Sequence, residues 1–95
     1  MQAQKLDHAL VTVLASGRDP RTDHPIYLTD AIRVEVEFEG YPTADDRLAV
    51  ARLGGVCRDE RADRLMIVAP ALAMGPLTEL SHVTKLHFEG ARDRS

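Results

Sequence analysis

The chain has one cysteine, no tryptophan and few aromatic rings, which are Tyr27, Phe38, Tyr41 and Phe88. A single thiol, Cys57, cannot staple the chain to itself, so a small disulfide-framed secreted module is excluded. With so few rings, the core has to be built from Val, Leu, Ile, Ala and Met. No apolar run approaches the roughly 18 residues that read as a membrane span. The first residues, Met1 to Lys5, lack the positive region, apolar stretch and small-residue cleavage site of a secretory signal. The expected location is therefore the cytoplasm, with no membrane partner. Charge of one sign is lacking too: the net charge is −3, with acids and bases interspersed. The stretch from Arg58 to Arg64 alternates them and reads as a solvated, self-compensating segment. A nucleic-acid binder usually carries a basic stripe with stacking rings between the charges. None is visible, so direct nucleic-acid binding is not expected.

What is present fits a single domain over residues 1–95, with residues 1–5 and 91–95 expected to fray. A chain of this length buries roughly two-thirds of the surface its unfolded form exposes, enough for a thin core. The clearest local signal is at 31–39, where Ile32, Val34, Val36 and Phe38 alternate with Arg33, Glu35, Glu37 and Glu39. Period-two alternation with branched and aromatic side chains on one face predicts a half-buried strand, stopped by Gly40, Tyr41 and Pro42. Thr43 then suits an N-cap, Asp45 and Asp46 suit the first turn, and Gly54-Gly55 suits the stop of a helix over 44–53. Its expected inner stripe is Ala44, Leu48 and Ala51, flanked by Val50 and Leu53. The continuous apolar run Leu65 to Ala69 predicts a strand buried on both faces, joined to the helix by the charged segment 58–64.

Two regions are ambiguous. Leu6, Ala9, Leu10, Val13 and Leu14 match a helical template over 3–16, with Gly17 as its stop. Leu10 to Leu14 is nevertheless rich in β-branched residues and short, and a strand over 9–16 is the preferred reading. Toward the other end, Thr84, Leu86 and Phe88 alternate with Lys85, His87 and Glu89, which predicts a strand. Gly75-Pro76 can open one helical turn through Leu80. Together these give an α+β fold: a mostly antiparallel sheet in the order strand, strand, helix, strand, strand, with one short helix on its apolar face. The expected core is Val11, Val13, Ile32, Val34, Val36, Phe38, Leu48, Ala51, Ile67, Leu86 and Phe88.

Motifs of catalysis, metal binding or nucleotide binding do not emerge. The four histidines, His8, His24, His82 and His87, are scattered. His82 and His87, five apart, fall on opposite faces of a strand or about 140° apart on a helix, and neither makes a chelate. No metal or other cofactor is expected. Cys57 beside Arg58 could be a reactive thiol, but a buried apolar role is the commoner one for a free cysteine. Gly54-Gly55 ends a helix rather than opening one, the wrong end for an anion.

Two candidate sites remain. The first is the long connection 17–30, since long loops are either functional or loose. There Arg18, Arg21, Asp23 and His24 could contact an anionic ligand, with Asp23-His24 as a possible acid–base pair. The second is the ridge Glu35, Glu37 and Glu39, a surface for a basic partner; the strand that carries it could also pair edge to edge with a second copy. The leading expectation is a non-enzymatic accessory or regulatory protein that binds another protein or itself as a homo-oligomer. The alternative is a small-molecule binder or small enzyme with its site under the 17–30 loop. A third reading is an acidic inhibitor of a nucleic-acid-binding protein.

Overall fold

The computed structural model describes residues 1–91. Three α-helices and four strands follow one another as α1 (His8–Ser16), β1 (Ala31–Phe38), α2 (Ala44–Arg52), β2 (Val56–Arg61), β3 (Arg64–Pro70), α3 (Met74–Thr78) and β4 (Val83–Ala91). The fold is α+β. The strands form one sheet in the order β2-β3-β1-β4, and each neighbouring pair is antiparallel. Residues 92–95 of the expected loose tail lie outside the described residues.

The 31–39 alternation predicts β1 well. Ile32, Val34, Val36 and Phe38 are buried, while Arg33 and Glu39 are exposed and Glu35 and Glu37 half-buried. β1 is a central strand, however, paired with β3 from Ala31↔Pro70 to Glu37↔Arg64 and with β4 from Ile32↔Ala91 to Phe38↔Val83. Its backbone groups are used on both sides, so it cannot recruit a second copy along its edge. The strand expected at Leu65 to Ala69 is β3, and the helical turn expected at Gly75-Pro76 is α3.

Residues 9–16 are helical, correcting the expected strand. Asp7 caps α1 by accepting from the Leu10 N–H at 2.8 Å. Gly17 closes it in the left-handed conformation, φ 69°, with its N–H donating to the Val13 carbonyl. Caps at both ends outweigh the weak helical preference of Val11, Thr12 and Val13. Leu10 and Val13 face inward and Val11 outward. Leu6 and Asp7 lie along the outer edge of β4: the Asp7 N–H donates to the Leu86 carbonyl at 3.0 Å, and the Asp7 carboxylate accepts from the Phe88 N–H at 3.1 Å. The first five residues, expected to fray, include a single 3-10 turn over Ala3–Lys5. The Gln2 N–H donates to the Thr78 hydroxyl at 2.9 Å.

The charged segment 58–64, expected to be a connection, is the outer strand β2 and its two-residue hairpin into β3, with Arg61↔Arg64 as the closing pair. Every residue of β2 is exposed, so no alternation marks it. Its charges and the bulge between Cys57 and Asp59 are the features by which natural sheets blunt an open edge.

α2 forms where expected, with Thr43 and Asp46 capping reciprocally, but it shows the sheet a different side. Val50 is its one buried residue and Leu53 is partly buried, whereas Leu48 is 48% exposed and Ala44 and Ala51 point to solvent. The sheet's apolar face is covered chiefly by α1, the 3-10 turn Ala71–Ala73 and α3, through Leu6, Leu10, Val13, Ala71, Ala73, Met74 and Leu77. α2 closes one end of the sheet and is held by ion pairs, Arg47 to Glu60 and Asp46 to His82. Gly55 lets the chain turn tightly from α2 into β2, because a Cβ there would stand 2.5 Å from Val50 Cγ1. Among the described residues, no helix is long and apolar enough to cross a membrane.

Candidate functional site

The 17–30 connection is built, not slack. From Gly17 the chain makes a small hairpin in which Arg18 bridges Pro25 and the Ile26 N–H donates to the Gly17 carbonyl at 2.7 Å. At its tip the Asp19 N–H donates to the His24 carbonyl at 2.9 Å and the Asp23 N–H to the Asp19 carbonyl at 2.8 Å. The Asp19 carboxylate accepts from the Arg21 N–H at 2.8 Å, an Asx turn. Ile26 anchors the hairpin in the core at 6% exposure. Past it, Tyr27 and Asp30 close a turn, and the carbonyls of Leu28 and Asp30 accept from the N–H groups of Leu72 and Ala71.

The hairpin roofs a crevice of about 280 Å³ over the end of β4, lined among others by Asp19, Arg21, His24, Arg33, Glu89 and Gly90. Arg21 reaches back to β4: its Nη1 donates to the Glu89 carbonyl at 3.1 Å, and its guanidinium lies 6.0 Å from the centre of the Phe88 ring, at the outer limit of a cation–π contact. Arg33 arrives from β1, opposite Gly90 in register. The pairing slips between Arg33 and Val34, and Gly90 sits at φ +147°, backbone that favours glycine. A Cβ on Gly90 would stand 2.9 Å from Arg33 Nη2, so the missing side chain gives the guanidinium its place against the strand. Two guanidinium groups from different elements thus meet successive residues of β4. Among the described residues, neither lies within ion-pair distance of a carboxylate.

Of the four residues expected to bind a ligand, Arg21 and His24 line this crevice and Arg18 and Asp23 do not. The Arg18 Nη1 donates to the Asp23 carbonyl at 2.9 Å and stands 3.9 Å from its carboxylate, closing the hairpin on itself. Asp23 takes a left-handed conformation, φ 61°. Arg33 and Asp19 belong to the crevice without having been expected there. Arg33 looked like any polar residue of a strand's wet face, and only the pairing of β1 with the end of β4 brings it to the loop. Asp19 sits in a polar stretch where nothing marks it as buried.

The glutamate ridge is already engaged. Arg64, across the pairing from Glu37, bonds Glu35 and lies 3.3 Å from Glu37 and 3.8 Å from Asp63. The Arg64 guanidinium is pushed up from its ordinary value, first by its hydrogen bond to Glu35, then by the nearby carboxylate charges. From β4, His87 Nε2 meets Glu37 at 3.2 Å and the Thr84 hydroxyl donates to the Glu37 carbonyl at 3.1 Å. Glu39 lies past the end of β1, where its N–H donates to the His82 carbonyl. This surface is a mixed-charge lattice rather than a bare acidic ridge. Cys57, expected to be buried, is exposed on β2, where its thiol donates to the Asp59 carbonyl at 3.6 Å. Among the described residues, no three His, Cys, Asp or Glu side chains gather as a metal site would require.

No protein-family model, curated protein or solved structure matches the chain.

Proposed function

We propose that the chain is a cytoplasmic small-molecule-binding module, that its site is the crevice under the 17–30 loop, and that its ligand carries a compact anionic group. One observation supports this above the rest: Arg21 and Arg33 both line the crevice, one bonded to the Glu89 carbonyl and the other beside Gly90, with no carboxylate partner among the described residues. An oxyanion bound there offsets the repulsion of two like charges on one wall. Guanidinium groups suit carboxylates and phosphates because their N–H forks match those oxygens. His24 on the same wall supplies a further donor.

Thermal unfolding in inorganic phosphate and in sodium acetate, each against sodium chloride of equal ionic strength, tests the reading. Specific stabilisation should appear, fall in Arg21→Gln and His24→Ala, and vanish in Arg33→Gln. Equal melting temperatures in all three salts sink it.

A second reading has one observation in its favour. Among the described residues β2 is unpaired on its outer side, which would suit an accessory protein that adds a strand from another protein or from a second copy of itself. Sedimentation showing a stable dimer that Arg58→Pro dissociates supports that reading; a monomer at every concentration removes self-pairing.

A further inference from the structure

Resting on the anion reading above, we infer that the ligand is a small zwitterion, whose anionic group meets Arg21 and Arg33 and whose ammonium group meets Asp19. The observation is the state of the Asp19 carboxylate. Asp19 is only 5% exposed, although it sits in a loop whose neighbours are open to water. One of its oxygens, Oδ1, accepts from the Arg21 N–H at 2.8 Å. The other, Oδ2, has no donor among the described residues. It is not sealed off either, because no fully buried side-chain oxygen or nitrogen there lacks a partner. Asp19 lines the crevice, and Oδ2 keeps some exposure.

With Oδ1 taken by the Arg21 N–H, Oδ2 is the oxygen left to accept from a cation or donor. Glu89 also lines the crevice. A simple anion would meet Asp19 as repulsion, and a simple cation would meet Arg21 and Arg33. A molecule with both charges a few bonds apart satisfies both sides. The volume of about 280 Å³ suits that size, since it falls just short of the range of drug-sized pockets. An amino acid or an amino-alkyl phosphate shares this chemistry.

The test uses matched pairs that differ only in the ammonium group: propionate against β-alanine, butyrate against γ-aminobutyrate, and ethyl phosphate against O-phosphoethanolamine. Titration calorimetry on the full chain at neutral pH gives each affinity. The zwitterion of at least one pair should bind about tenfold more tightly than its partner, the difference a charge-assisted hydrogen bond makes. Carboxylate and phosphate pairs together tell which anionic head is preferred. Asp19→Asn keeps the oxygen that accepts from Arg21, and should erase the preference while the plain anion binds no worse. Glu89→Gln, which leaves the carbonyl in place, should reduce it. Plain anions that bind as tightly as their zwitterions overturn the inference and leave the anion reading standing, as does a preference that survives in Asp19→Asn. Failure of every compound to bind overturns both.

Discussion

Asp7 does two things at once, and removing it separates them. One carboxylate oxygen caps α1 at the Leu10 N–H, and the other accepts from the Phe88 N–H on the outer edge of β4. Loss of an N-cap costs about 1 kcal/mol. Loss of a charge-assisted bond that leaves a half-covered strand N–H without its acceptor costs about 1.5–2 kcal/mol. Asp7→Ala should thus destabilise by roughly 2–3 kcal/mol, a drop of about 10–20 °C in melting temperature for a domain of this size. Asp7→Ser separates the two contributions, because a serine hydroxyl caps a helix well but is too short to serve both N–H groups. It should lose only the β4 part, about 1.5–2 kcal/mol. Urea unfolding of the three proteins checks this, with equal slopes showing that the unfolded state has not changed. Identical midpoints for the Ala and Ser variants would mean that the helix cap contributes nothing, and a Ser variant that matches the parent would mean the same of the β4 contact. An Ala variant within about 0.5 kcal/mol of the parent would refute both roles.

Further predictions concern packing, pH and the wall of the crevice. Gly55→Ala places a Cβ 2.5 Å from Val50 Cγ1 and 3.0 Å from the Val50 carbonyl oxygen, so urea unfolding should show a loss of about 1–3 kcal/mol. The Asp46 carboxyl is pushed up by burial, but hydrogen bonds from Thr43 and the bond and charge of His82 outweigh this and hold it below its ordinary value. The stability it adds is present above the ordinary carboxyl value of about 3.9 and is lost as pH falls through the lower folded value. Asp46→Asn should therefore destabilise near neutral pH and flatten the fall in melting temperature below about pH 4. A variant whose acid limb matches the parent's refutes that assignment. Gly90→Ala forces a side chain into backbone at φ +147° and displaces Arg33 Nη2. It should lose about 1–3 kcal/mol of stability together with stabilisation by phosphate or acetate, both read in one thermal series.

How much of this was legible in the sequence depended on whether a residue's role was local. β1 and β3 were plain, because alternation and an unbroken apolar run record burial directly. The limits of α2 were plain too, since Thr43 and Gly54 punctuate it. Its inner side was not: Ala44, Leu48 and Ala51 look as suitable as Val50 and Leu53, and only the core contributed by elements distant in sequence, against which Val50 and Leu53 pack, distinguishes them. The β-branched run of α1 reads as a strand, whereas the Asp7 cap and the Gly17 stop carry the helix. β2 buries no side chain, so its sequence has no pattern to show. In the crevice, Arg21 and His24 were visible because they sit in one long loop. Arg33 and Glu89 come to that loop only through the register of β1 with β4.

A backbone-amide NMR titration with inorganic phosphate, and in parallel with β-alanine, tests most directly whether the crevice between the 17–30 hairpin and the end of β4 is a binding site. Saturable shifts should be concentrated at Asp19 to Ile26, Arg33 and Glu89 to Ala91, and should disappear in Arg33→Gln. Shifts that never saturate, or that spread evenly over β2 and α2 as well, would contradict it.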